Sequence, residues 1–180
     1  MRRVAAWLVA ALMSFACPVT AETVPEPEGY RGPPYRAPVP ATLAGATVVD
    51  LAQAEAMQAA GAVLIDAMPQ VARPDNLPAG TIWNDKPHDT IPGAVWLPGF
   101  GYESLAPADE AAFAAALALL SRGDPAHPLV FFCKAECWMS WNAAKRAVAD
   151  GYRAVFWFPG GTDDWAAAGK DLVRATPYKP

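Results

Sequence analysis

Two cysteines four positions apart, Cys133 and Cys137, are the residues of this 180-residue chain best placed to do chemistry. They lie in the run Cys133-Lys134-Ala135-Glu136-Cys137-Trp138, directly after the apolar stretch Leu129-Val130-Phe131-Phe132. A thiol at the carboxyl end of a parallel strand, in a loop curling into a helix, meets inward-pointing N–H groups and the positive end of the helix dipole. Both favour the thiolate, which is the nucleophile. Cys133 is therefore expected to be the attacking sulfur, in a loop whose charged residues suggest exposure. The charges of Lys134 and Glu136 cancel, and a carboxylate beside the site repels both a thiolate and an anionic sulfur donor.

Cys137 allows two readings. It closes a disulfide with Cys133 only if the Cα atoms come within about 7 Å, a distance that spacing alone does not fix. In that case it is a resolving cysteine, and the site cycles between dithiol and disulfide. Otherwise the two are independent thiols, with Cys137 packed inside. A bridge across so short a loop removes little chain entropy, so it serves a structural purpose poorly.

The neighbours also allow more than one reading. Trp138 and Trp141, with Trp157 and Trp165 later in the chain, form either core or an apolar wall that stacks an aromatic or quinonoid ligand. Asp66 ends an apolar run, where its carboxylate either orients the cysteine loop through backbone N–H groups or is a plain strand-end acceptor. Trp83 and His88 fall in an irregular stretch and either roof a pocket or cover surface. His88, His127 and the two cysteines have no zinc-site spacing, so no metal and no cofactor is expected.

The elements that must position these residues alternate. Ala46–Val49 reads as a strand, and Asp50 caps an Ala-rich helix that Gly61 stops. Val63–Asp66 has the continuous apolar character of a strand buried on both faces. Gly93–Leu97 is another strand. Pro107, followed by Asp109 and Glu110, opens a helix to Leu120. Leu129–Phe132 is the strongest strand signal, followed by a helix from about Met139 to Asp150, a strand over Ala154–Phe158 and a short helix from Thr162. Alternation of this kind predicts an α/β fold: a doubly wound parallel sheet with helices on both faces.

The first residues have the order of a secretory signal: Arg2-Arg3, an apolar run from Val4 to Ala16, then small residues before Ala21. Cleavage after Ala21 is expected, in preference to a twin-arginine signal or a lipid anchor on Cys17. The domain plan is then a signal peptide at 1–21, a Pro-rich, partly mobile extension at 22–45, one domain at 46–173 and a tail at 174–180. Losing Arg2 and Arg3 takes Lys+Arg from 14 to 12 against 18 Asp+Glu. That acidic balance argues against nucleic acid or an anionic membrane surface as partner. No second stretch reaches membrane-spanning length, so no transmembrane segment is expected in the mature chain. Export also places Cys133 and Cys137 where disulfides persist.

Several motifs carry a family resemblance. Leu64-Ile65-Asp66-Ala67, Ile91-Pro92-Gly93-Ala94, Val130-Phe131-Phe132-Cys133 and Pro159-Gly160-Gly161 with Trp165 and Gly169 together resemble a rhodanese domain over about residues 46–170. Cys133 to Trp138, with Met139-Ser140-Trp141-Asn142-Ala143-Ala144-Lys145-Arg146, resembles the exported CXXCW-motif rhodanese-like proteins associated with alcohol catabolism dependent on pyrroloquinoline quinone (PQQ). The resemblance implies a persulfide on Cys133, taken from a small sulfur compound, with Lys134, Ala135, Glu136, Trp138 and Met139 around it. It departs from the sulfurtransferase pattern where Trp138 and Met139 stand near the usual Arg and Ser/Thr. It also implies a periplasmic setting and, as partner, an exported PQQ-dependent dehydrogenase or c-type cytochrome. Three functions compete: a sulfurtransferase, a thiol–disulfide redox protein using the pair, and a non-catalytic docking module that presents a tryptophan surface.

Overall fold

The computed structural model describes residues 24–71 and 73–179; the expected signal peptide and Cys17 lie outside them. The elements are β1 (Thr47–Val48), α1 (Leu51–Ala59), β2 (Val63–Asp66), β3 (Asp89–Thr90), β4 (Val95–Trp96), α2 (Pro107–Leu120), β5 (Leu129–Phe132), α3 (Trp138–Ala149), β6 (Val155–Phe158), α4 (Gly161–Ala167) and β7 (Val173–Arg174). Five strands form one parallel sheet in the order β1-β6-β5-β2-β4, while β3 and β7 pair as a separate antiparallel ribbon.

Local chemistry explains the boundaries. Asp50 and Gln53 close a reciprocal capping box on α1. α2 begins with Pro107 and carries Asp109 and Glu110 in its first turn. In β5 the side chains alternate between two cores: Leu129 and Phe131 face one, Val130 and Phe132 the other. The first core holds Phe113, Ala116 and Leu117 of α2 with Trp138, Trp141 and Ala144 of α3; the second holds Ala54 of α1 and Trp165 of α4. Helices thus cover both faces, which is the doubly wound α/β arrangement expected from the alternating elements.

The connections reverse direction between two neighbouring strands. From β2 the chain moves outward to β4; from β5 it moves the other way to β6. The carboxyl ends of β2 and β5 therefore flank the switch point of the sheet, where open α/β folds bind ligands. Asp66 ends β2 and Cys133 follows β5.

The Pro-rich segment corrects the expectation of a mobile lead-in. Over its described part it lies along α3 and closes hydrogen bonds with it. Trp138, Trp141, Asn142, Lys145 and Arg146 recur at i, i+3, i+4, i+7 and i+8, which is one helical face. The indole N–H of Trp138 donates to the Pro38 carbonyl (3.1 Å), and that of Trp141 to the Thr42 carbonyl (3.1 Å). The Asn142 amide both accepts from Arg31 N–H and donates to the Arg31 carbonyl, each at 2.9 Å. Lys145 Nζ donates to the carbonyls of Pro27, Glu28 and Gly29. Leu43 enters the main core. Proline leaves this segment's carbonyls without helix or sheet partners, and α3 supplies the donors.

The tail is bound as well. β7 crosses the expected domain–tail boundary, Arg174 pairs with Asp89 at 3.0 Å, and Tyr178 N–H donates to the Trp96 carbonyl at 2.8 Å.

Candidate active site

Cys133 sits where β5 delivers it, with its carbonyl held by α4. Thr162 donates to that oxygen from both its N–H (2.9 Å) and its hydroxyl (3.3 Å). Gly161, at φ +52°, passes so close to the Cys133 carbonyl that a Cβ there would overlap it. The loop then turns through Glu136, a non-glycine residue in the left-handed region at φ +54°. Cys137 takes the N-cap position of α3.

The two cysteines are joined. Cys133 and Cys137 form a disulfide with Cα atoms 6.1 Å apart. The bridge corrects the expectation of an exposed thiolate loop: Cys133 is 1% and Cys137 8% exposed, and only Glu136 of the loop is open to solvent. Part of the cover is the lead-in. Ala37 N–H donates to the Glu136 carbonyl at 3.0 Å and Trp138 N–H to the Tyr35 carbonyl at 2.8 Å, a two-bond antiparallel bridge between Arg36 and Cys137. The Trp138 N–H, a candidate to stabilise a thiolate, is thus spent on the extension.

A hollow of about 140 Å³ opens beside the bridge, lined by Tyr35, Arg36, Met68, Pro69, Cys133, Lys134, Ala135, Cys137 and Met139. Of the residues that the resemblance places around Cys133, Lys134, Ala135 and Met139 line it, whereas Trp138 does not, and neither does Trp141. Glu136 is not among its lining residues either. The cationic residues that line it are Lys134 and Arg36, and no acidic residue lines it. Arg36 also pairs with Asp163 at 3.5 Å.

Of its two readings, Asp66 takes that of a strand-end acceptor. Its fully buried carboxylate does not bond the cysteine loop. It accepts from Met68 N–H (2.9 Å), Thr90 hydroxyl (2.5 Å) and His88 Nε2 (2.7 Å). The Met68 N–H bond fixes the loop after β2, and Met68 Sδ lies 3.5 Å from Cys133 Sγ. Asp66 thus reaches the site through Met68. His88 also packs on Trp96, with centroids 4.6 Å apart, and lines the neighbouring hollows that Lys134 shares. Trp83 instead bonds the Asp85 carboxylate, in the exposed loop.

The tryptophans take the core reading of the two. Trp138, Trp141, Trp157 and Trp165 are all buried, and each indole N–H is taken inside the protein, Trp157 by Ser140 Oγ and Trp165 by the Asp171 carbonyl. They are core side chains and not a stacking wall.

Sequence reasoning missed Arg36, Tyr35 and Met68 at the hollow. Met68 had a signal, since the second residue beyond a buried strand lies at the crevice. Arg36 had none, because a proline-rich segment reads the same whether docked or free.

Comparison with known proteins agrees with this architecture. No curated protein matches the chain. Among solved structures, that of an EanB variant in complex with hercynine shares the fold: TM-score 0.50 at 19% identity, covering 78% of this chain and 34% of that one. This chain therefore spans about a third of that protein's length. The Rhodanese-like domain family matches residues 50–168, from the cap of α1 to the end of α4. This protein belongs to the rhodanese-like domain family.

Proposed function

We propose that the chain is an exported sulfurtransferase-type protein in which Cys133 accepts a sulfane sulfur and Cys137 resolves the persulfide. One observation carries this reading: the thiol at the switch point of a rhodanese-like sheet is bonded to a second cysteine of its own loop. Reduced Cys133 attacks the outer sulfur of a donor, forming a persulfide and expelling the donor's remainder. Cys137 thiolate then attacks the inner sulfur, forming the Cys133–Cys137 bond and expelling hydrosulfide. An external dithiol restores the pair, taking up the bridge as its own disulfide. Lys134 and Arg36 beside the hollow favour an anionic donor such as thiosulfate more than the loop sequence suggests.

The secretory pattern of residues 1–21 supports a periplasmic setting with cleavage near Ala21. The CXXCW resemblance supports service to PQQ-dependent alcohol oxidation, beside a dehydrogenase or c-type cytochrome. The test is the intact mass of the reduced chain after exposure to thiosulfate or an organic persulfide. Transient gain of one sulfur, persistent in Cys137→Ser and absent in Cys133→Ser, is expected. No gain in any form would sink the reading.

The closed bridge itself favours a second reading, a thiol–disulfide redox protein with no sulfur transfer. There, replacing either cysteine abolishes exchange with a dithiol partner, and no form retains sulfur.

A further inference from the structure

Sulfur atoms crowd the hollow beyond what a persulfide site requires. Four of its nine lining residues carry sulfur: Cys133, Cys137, Met68 and Met139. The two cysteines and Met139 form one buried cluster, with Met68 packed against it. Met68 Sδ already touches Cys133 Sγ at 3.5 Å. Each methionine comes from a different element, the β2 loop and the first turn of α3, so helical periodicity does not explain the convergence.

We infer that the reduced hollow binds one cuprous ion, with Cys133 and Cys137 as thiolate ligands and Met68 as a thioether ligand. This inference goes beyond the proposed sulfur transfer and needs only the reduced pair. Thiolate and thioether donors are soft and suit Cu(I); thiolates also bind Zn(II), so zinc is separated here by its need for four ligands and not by donor softness. A metal–thiolate bond of about 2.3 Å, the zinc value, puts two ligand sulfurs no more than about 4.6 Å apart. Cα atoms 6.1 Å apart allow that by side-chain rotation once the bridge opens. Among the described residues no group of three or more His, Cys, Asp or Glu side chains is placed to hold a metal ion, so a four-ligand zinc site of that kind is not served.

The balance is simple. An external dithiol supplies two electrons and two protons to open the bridge and leaves as a disulfide. Copper then displaces the two thiol protons to solvent. The resulting bis-thiolate complex carries one net negative charge, beside which Lys134 and Arg36 lie.

The test titrates the phosphine-reduced full chain anaerobically with Cu(I) held by bicinchoninate, reading loss of the coloured complex. One equivalent is expected to transfer, none to the oxidised chain or to Cys133→Ser. Met68→Leu keeps volume and loses the donor, and it should weaken binding by at least about tenfold, as loss of metal-site partners does. Thermal unfolding of Met68→Leu checks that its fold is intact. A purely packing methionine predicts equal copper binding in Met68→Leu and parent, and that result overturns the inference. Failure of copper to leave the competitor, or its displacement by equimolar zinc, overturns it too. Sulfur uptake on the same preparation separates the two readings, since copper bound without sulfur uptake removes the proposed function and leaves this site standing.

Discussion

Replacing Asn142 by alanine should release the N-terminal segment from α3 and open the cysteine loop. Asn142 is fully buried, and its amide makes three hydrogen bonds: with both backbone groups of Arg31 and with the Gly101 carbonyl at 2.8 Å. Gly101 is buried and Arg31 half-buried. An unpaired buried polar group costs about 1–3 kcal/mol, so a middle value for Gly101 and low values for the two Arg31 groups sum to about 4 kcal/mol. Arg31 lies four residues before Tyr35, where the segment begins to cover the loop through Ala37 and Trp138 N–H bonds. Urea unfolding should show the loss in stability, and a water-soluble phosphine should reduce the Cys133–Cys137 bridge several-fold faster. Asn142→Asp keeps the acceptor for Arg31 N–H but turns a carboxylate toward two carbonyl oxygens, so it should fall at least as far. A variant within about 0.5 kcal/mol of the parent, with unchanged reduction, would refute the account of α3 as a clamp.

Other expectations follow from single contacts. Glu26 accepts from the Thr42 hydroxyl and from Ala44 N–H. The Thr42 bond chiefly, then Ala44 and Lys145, hold its carboxyl below the ordinary value of 4.5 against the opposing effect of burial. With the folded value below the unfolded one, its stabilisation is complete above about pH 4.5 and is lost as pH falls through the lowered value. Glu26→Gln should flatten that part of the stability–pH curve; parallel curves would contradict it. Gly161→Ala, meeting the Cys133 carbonyl at a positive φ, should cost about 2 kcal/mol or more in thermal unfolding and slow sulfur uptake. Asp66→Asn should cost about 2–4 kcal/mol, because one buried oxygen becomes an N–H₂ group facing other donors. If chemical denaturation finds Asp66→Asn as stable as the parent, the three bonds assigned to that carboxylate are wrong.

The central elements were legible because their signals are local. β5 is an apolar run buried on both faces, α2 announces itself with proline and acids, and Cys133 falls at the strand's end. β3 and β7 were not legible: each is two residues long, too short for any period, and their pairing joins positions more than eighty residues apart. The docked lead-in was hidden for another reason. Its prolines report only what the segment cannot form, while the reason it binds lies on α3. The stripe Trp138, Trp141, Asn142, Lys145 and Arg146 was visible at helical spacing, yet tryptophans beside a reactive loop invite a ligand reading. The site shows the same division. Cys133, Lys134, Ala135, Cys137 and Met139 fall within seven consecutive residues, while Met68 and Arg36 arrive by tertiary contact alone.

The most direct measurement counts hydrosulfide and disulfide together when the reduced chain meets a stoichiometric sulfane-sulfur donor. Sulfur transfer resolved by Cys137 predicts one hydrosulfide released and one Cys133–Cys137 bridge formed per chain, with Cys137→Ser holding its sulfur and releasing none. Bridge formation without hydrosulfide, or hydrosulfide from Cys133→Ser at the parent's rate, would contradict it.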